Sequence, residues 1–196
     1  MSLERAPEKR ELRRKLRAWF KTLTDAEVGE TSARACALLR QQSVWKEARA
    51  VFFYAAMPGE INLSPLLEEG LRAGKVIALP RFMAETGDYG AFQIRDTAHD
   101  CAPGAFGIAE PTAQCASFPL KRLDLALVPG VGFDLAGRRL GRGRGFYDRL
   151  LAQFSGIKCG VAFDGQLVER IPEERHDMRM NCILTPTRWL EIPGQV

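Results

Sequence analysis

The chain has 196 residues, 46% of them hydrophobic and 27% charged, with a formal net charge of +4, which is enough apolar material for one substantial core. No run approaches the roughly 18 uninterrupted apolar residues of a membrane-spanning helix, and the start, MSLERAPEKRELRRKLR, lacks the apolar stretch of a signal peptide. Five cysteines without CxxC spacing and only two histidines, His99 and His176, speak against a disulfide framework and exclude a three-histidine zinc site. The expectation is a cytoplasmic, monomeric protein without membrane association, built as a single domain over residues 1–196.

Residues 1 to 21 carry eight basic against three acidic side chains, and Leu12, Leu16, Trp19, Phe20 and Leu23 recur among them at helical spacing. The pattern predicts an amphipathic first helix with a cationic outer face. Composition alone fits a solvated face as well as one that meets an anion. Thr24-Asp25-Ala26-Glu27 reads as a capping box opening a second helix, with Val28, Ala35, Leu38 and Leu39 inward. Ala50 to Ala55 is short and continuously apolar, as for a strand covered on both faces, and Pro58-Gly59 end it. A helix is predicted from Leu63 to Ala73, with Pro65 near its start and Gly74 as its stop. Lys75 to Arg81 is a second buried strand, Tyr89 to Ile94 an edge strand or hairpin arm, and Asp96 to Phe118 is loop-rich. Leu123 to Pro129 is the best central strand, Gly145 to Phe154 a helix, and Ile157 to Phe163 and Asn181 to Leu184 the last strands. Alternation after two leading helices predicts an α/β fold whose mainly parallel sheet carries helices on both faces.

In such a sheet ligands bind outside the carboxyl ends of the strands. The most informative segment leaving that side runs from Pro129 to Asp148, PGVGFDLAGRRLGRGRGFYD. Five glycines after Pro129-Gly130 are interleaved with four arginines, and residues 137 to 149 carry five basic side chains against Asp148 alone. Glycine lets backbone N–H groups approach an anion, and a planar guanidinium gives phosphate two parallel charge-assisted hydrogen bonds. A polyphosphate is the natural occupant. The pattern is neither a P-loop nor a dinucleotide fingerprint, since Phe146 stands where the last glycine of GxGxxG would be. It also resembles RGG-type RNA-binding tracts, and its first part fits a tight hairpin around Ala136-Gly137.

Val128 to Arg149 is similar to the signature of the 5-formyltetrahydrofolate cyclo-ligase family. Three further pieces fall in that family's order: Lys9 to Arg13, Glu60 after the first strand, and Gly107-Ile108-Ala109-Glu110-Pro111. The resemblance covers residues 9 to about 185. It implies a three-layer α/β fold and the ATP- and magnesium-dependent conversion of 5-formyltetrahydrofolate to 5,10-methenyltetrahydrofolate, with ADP and phosphate released. It assigns nucleotide contacts to Lys9, Arg10, Arg13, Arg139, Leu140, Gly141, Arg142, Gly143, Arg144, Gly145, Phe146 and Tyr147. Folate contacts fall to Arg13, Ala55, Glu60, Arg142, Gly143, Arg144, Gly145 and Phe146, and metal ligation to Asp148 and Asp177. The partner implied is a small-molecule folate, with no nucleic acid. Two departures stand out: Asn62-Leu63 where the family often has threonine, and Phe146-Tyr147 where it often has two tyrosines.

The chemistry implied needs these residue types. A formamide oxygen is a poor leaving group, so N10 cannot displace it until it is phosphorylated. Phosphoryl transfer runs on positioning and charge neutralisation and needs no histidine or cysteine nucleophile. Arg144 and Arg142 are the candidate catalytic residues at the transferring phosphoryl group. Asp148 also fits a charge at a helix start, Asp177 a turn-forming aspartate, and Glu60 a solvent-facing loop carboxylate. Phe82, Phe92, Phe106, Phe133 and Tyr147 are candidate pterin walls, though each also fits core. The reading of a different class is a nucleic-acid-binding module that uses the basic helix and Arg138 to Arg149 on phosphates.

Overall fold

Residues 5–104, 107–174 and 177–194 are described by the computed structural model of the chain. Phe106 and His176 lie outside them. The leading stripe folds as α1 (Arg5–Phe20), and the capping box forms as written at α2 (Asp25–Gln41), where the Thr24 hydroxyl accepts from Glu27 N and Glu27 accepts from Thr24 N at 2.8 Å. A third leading helix, α3 (Ser43–Glu47), is absent from the sequence pattern; it buries Trp45 edge-on to Phe53, with ring centroids 6.0 Å apart. Strand β1 (Ala50–Phe52) is shorter than predicted, since Tyr54 and Ala55 leave the sheet.

The rest follows in order: α4 (Ser64–Arg72), β2 (Val76–Met83), β3 (Asp88–Ile94), α5 (Thr97–Asp100), β4 (Cys101–Pro103), β5 (Ala109–Pro111), β6 (Leu125–Pro129), β7 (Gly132–Asp134) and β8 (Arg139–Leu140). Then come α6 (Phe146–Leu151), β9 (Ile157–Val161), β10 (Leu167–Val168), β11 (Cys182–Leu184) and β12 (Trp189–Glu191). One seven-stranded sheet has the order β12-β11-β9-β6-β1-β2-β3. Its five inner strands are parallel, and each edge carries one antiparallel strand.

Alternation of side chains across the strands divides the core in two. Val51, Phe53, Ile77, Leu79, Leu125 and Leu127 face α2, α3 and α4. Phe52, Ala78, Ala126 and Val128 face Leu150 and Leu151 of α6 together with Phe133. The layers are therefore three, but the second face is covered by one short helix and a small sheet, β10-β7-β8, rather than by helices alone. The end of α1 rests on that small sheet, where Leu16 packs with Val131, Leu140 and Ile171. The turn at Ala136-Gly137 is indeed a hairpin. Its anchor is Asp134, fully buried, whose carboxylate accepts from Ala136 N and Arg138 N at 3.0 Å and from Ile171 N at 2.8 Å. All five cysteines are free thiols, four of them buried. Among the described residues no helix is long and apolar enough to cross a membrane.

Successive strands pass from β1 to β2 on one side and then cross to β6 on the other, so the sheet has its switch point between β1 and β6. Chains leaving the two carboxyl ends there diverge and open a crevice.

Candidate active site

The crevice is a cavity of about 430 Å³, lined at the sheet by Tyr54 and Ala55 after β1 and by Pro129 and Gly130 at the end of β6. That volume lies in the ordinary range for small-molecule sites.

Its first wall is the glycine–arginine turn. After the β7–β8 hairpin the backbone runs through Gly143 at φ 103° and Gly145 at φ 66°, conformations that strain any residue with a Cβ, and enters α6 directly. That helix is six residues long and ends at Leu151, short of the predicted Phe154, because Ala152 closes it by donating to Asp148 O. So short a helix adds little dipole, and the positive potential comes mainly from guanidinium groups. Arg139 is buried, bonds Asp148 at 3.0 Å and stands 5.5 Å from the Tyr147 ring centroid. Its Nε has no hydrogen-bond partner among the described residues. Arg142 is half-exposed and bonds Glu60 at 2.6 Å. Arg144 lines the same cavity, and its carbonyl accepts from Arg149, which is itself held by Asp88 at 2.7 Å. Arg138 turns away instead, onto Asp134 and Glu173, and belongs to the hairpin's framework.

The second wall comes from α1, more than a hundred residues away in sequence. Lys9 is 7% exposed, and its Nζ lies 2.6 Å from Asp177 and 3.4 Å from Glu174. Arg13 donates to the carbonyl of Gly141 at 2.8 Å, tying the helix to the glycine turn. Arg10 lines the cavity beside them. The two cationic segments thus converge on one space. The arginine-glycine run is an ordered hairpin and turn closed by a helix, not an extended tract.

The third wall is apolar and aromatic. Tyr89 and Phe146 meet at 5.1 Å between centroids, and Phe82 backs both at 5.5 and 6.2 Å. Tyr147 lines the cavity too, but Phe133 is fully buried in the second-face core and Phe92 lies under the Arg81 guanidinium, so neither is a wall. Burial pushes the Tyr54, Tyr89 and Tyr147 phenols upward, with Glu60 adding to the first and last and Glu110 to Tyr89. These hydroxyls are neutral donors, not bases. Glu60 is held from below by Met57 N, which donates to it at 3.0 Å.

Every residue to which the resemblance assigned a nucleotide, folate or metal contact lines this cavity: Lys9, Arg10, Arg13, Ala55, Glu60, Arg139 through Asp148, and Asp177. The sequence did not single out Tyr54, Tyr89 or Glu174 as lining it. Only topology brings those residues here. Glu110 differs, because it stood inside the noted GIAEP segment without a role.

The residues suit a polyphosphate with a hard divalent ion. The buried Arg139 Nε lacks an acceptor that a phosphate oxygen would supply. Asp148 and Asp177 offer two carboxylates on the same cavity, and no group of three or more metal-ligating side chains occurs among the described residues. A magnesium ion shared with phosphate oxygens needs only one or two carboxylates.

Residues 5–186 match the model of the 5-formyltetrahydrofolate cyclo-ligase family. The chain is 34% identical over 145 residues to the 5-formyltetrahydrofolate cyclo-ligase of Escherichia coli K12, covering 72% of this chain and 80% of that protein. It is 32% identical over 177 residues to the cyclo-ligase of Haemophilus influenzae, covering 87% and 92%. The structure of Aquifex aeolicus 5,10-methenyltetrahydrofolate synthetase superposes with a TM-score of 0.85 at 32% identity, over 95% of this chain and 93% of that one. With the match running through both cationic segments and the strands between them, the chain belongs to the 5-formyltetrahydrofolate cyclo-ligase family and is a ligase.

Proposed function

We propose that this chain uses ATP and magnesium to cyclise 5-formyltetrahydrofolate to 5,10-methenyltetrahydrofolate, releasing ADP and phosphate, and that it acts as a single-domain monomer in the cytoplasm. One observation carries the reading: Lys9, Arg13, Arg139, Arg142 and Arg144 share one cavity with an aromatic wall and with carboxylates at both ends. The cations meet the demands of phosphoryl transfer, and the wall offers a face for a pterin.

In this reading Lys9, Arg10, Arg13 and Arg139 hold the phosphates, while Arg144 and Arg142 neutralise charge on the transferring group. The backbone from Leu140 to Tyr147 follows the nucleotide closely because Gly141, Gly143 and Gly145 carry no Cβ. Magnesium, held by Asp148 and Asp177, would supply charge neutralisation at phosphate oxygens. The cations assigned to phosphate are the ones that pair with these carboxylates, Lys9 with Asp177 and Arg139 with Asp148. Nucleotide and metal therefore exchange partners with the protein together, and each favours the other. Glu60 and Ala55 border the folate beside Phe146, and Arg142 reaches Glu60, so one arginine spans the donor and acceptor halves of the reaction. With Tyr147 kept neutral and Arg142 and Arg144 charged, the groups placed toward the formyl oxygen can donate hydrogen bonds or positive charge.

Mixing the protein with ATP, magnesium and 5-formyltetrahydrofolate is expected to give the absorbance of methenyltetrahydrofolate, with one ADP formed per product. No product, or product formed equally without ATP, would overturn the reading; salt-sensitive RNA binding in its place would favour the nucleic-acid module.

A further inference from the structure

The carboxylates of the cavity are not alike. Glu60, Asp148, Asp177 and Glu174 each have a cationic partner in Arg142, Arg139 or Lys9. Glu110 has none among the described residues. It is 7% exposed; its Oε2 accepts from Phe82 N at 2.9 Å, and its Oε1 is buried with no hydrogen-bond partner among the described residues.

Glu110 is held in place by three elements. It stands in β5 opposite Ala102 of β4, and its bond to Phe82 ties it to β2. Gly104 closes over its flank so tightly that a Cβ there would clash with the Glu110 side chain from Cγ to Oε1. It lines the same cavity as Tyr89 and Phe146, whose rings form the aromatic wall. A buried carboxylate oxygen without a partner is retained at a cost, and so calls for one that arrives with a ligand. A cation is the usual answer, but among the described residues none of the cavity's cations forms an ion pair with Glu110. An aromatic wall beside a lone carboxylate instead fits a flat, neutral heterocycle with N–H donors on its edge.

Resting on the folate reading above, we propose that Glu110 is a second pterin-binding residue, accepting a hydrogen bond from the exocyclic amino group of the reduced pterin while Tyr89 and Phe146 flank the ring. Its role is selectivity for the aminopyrimidine edge, distinct from Glu60, which Arg142 links to the phosphate side. A site built to satisfy such a donor rejects an analogue that lacks it, because the carboxylate is then left unpaired.

The test is calorimetric titration of wild type, Glu110→Gln and Glu110→Ala with 5-formyltetrahydrofolate, with its 2-desamino analogue, and with Mg·ATP. Wild type is expected to bind the desamino compound more weakly than the natural folate by on the order of 10- to 100-fold. Both variants should lose a similar factor for the natural folate, show little preference between the two folates, and keep ATP affinity within about twofold. Thermal melting separates this from a framework role, which would lower the melting temperature of Glu110→Gln and leave the preference between folates intact. Equal binding of both folates by wild type, needing no variant at all, would overturn the proposal, as would Glu110→Gln binding natural folate as wild type does. If wild type neither binds nor converts 5-formyltetrahydrofolate, the functional reading itself falls; if it does both and Glu110→Gln matches it, only the assignment of Glu110 falls.

Discussion

Arg142 and Arg144 are two residues apart but make different contacts, so their loss should be distinguishable. Arg142 bonds Glu60, whereas the carbonyl of Arg144 is braced by Arg149. Arg144→Ala is expected to slow single-turnover ATP cleavage by on the order of 100-fold or more, the usual effect of removing one donor from a developing oxyanion, with the folate KM little changed. Arg142→Ala should slow cleavage and also raise the folate KM, because Glu60 loses the cation that positions it. Stopped-flow and steady-state measurements on the pair check this, and identical profiles would contradict it. Gly143, at φ 103°, makes a third case. Gly143→Ala should cost about 1–2 kcal/mol of stability and weaken ATP binding with it, read by urea titration and calorimetry. At this scale the sequence shows residue types but not pairings. Nothing in it couples Lys9 to Asp177, 168 positions away, or marks Glu110 as the carboxylate without a cation.

At the scale of elements, the cavity depends on two attachments. The first is α1 on the small sheet. Leu16, 6% exposed against Val131, Leu140 and Ile171, holds the helix that carries Lys9 and Arg13. Leu16→Ala should cost about 2–4 kcal/mol and weaken ATP binding without touching the nucleotide; urea unfolding and ATP titration together test it. The second is Glu173, which accepts from Arg179 at 2.6 Å and from Arg138 at 3.2 Å, joining the β7–β8 hairpin to the segment that leads to Asp177. The Arg179 bond, helped by Arg138, holds its carboxyl at about 2 against an ordinary 4.5. A carboxylate lowered in this way contributes stability that is complete above its unfolded value and lost as pH falls from about 4.5 to about 2. Glu173→Gln should flatten the fall in melting temperature across that window, and an unchanged acid limb would show that the clamp is not stabilising. Long amphipathic or continuously apolar elements such as α1, α2, α4, β2 and β6 are legible because their periods repeat. Strands β7, β8, β10 and β12 have two or three residues each, too few for any period, and take their conformation from neighbours.

Across the whole molecule, the parallel direction of the inner strands follows from the alternation of the sequence, whereas the strand order that puts the switch point between β1 and β6 is seen only in the structure. The layer covering the second face does not. It is assembled from a hairpin, a two-residue strand and a six-residue helix that meet only in three dimensions. Those pieces bring a moderately acidic body and two cationic segments to one cavity.

The convergence of α1 and the glycine–arginine turn on a single triphosphate is the claim on which the rest stands. Calorimetric titration with Mg·ATP of Lys9→Met, Arg144→Met, the double variant and the control Arg17→Ala, an exposed α1 arginine outside the cavity, measures it directly. Each cavity variant should weaken binding by on the order of 10-fold or more, and their effects should fail to add when combined, with Arg17→Ala close to wild type. Additive losses, or a loss at Arg17 equal to that at Lys9, would mean that the two segments act as a diffuse positive field and share no ligand.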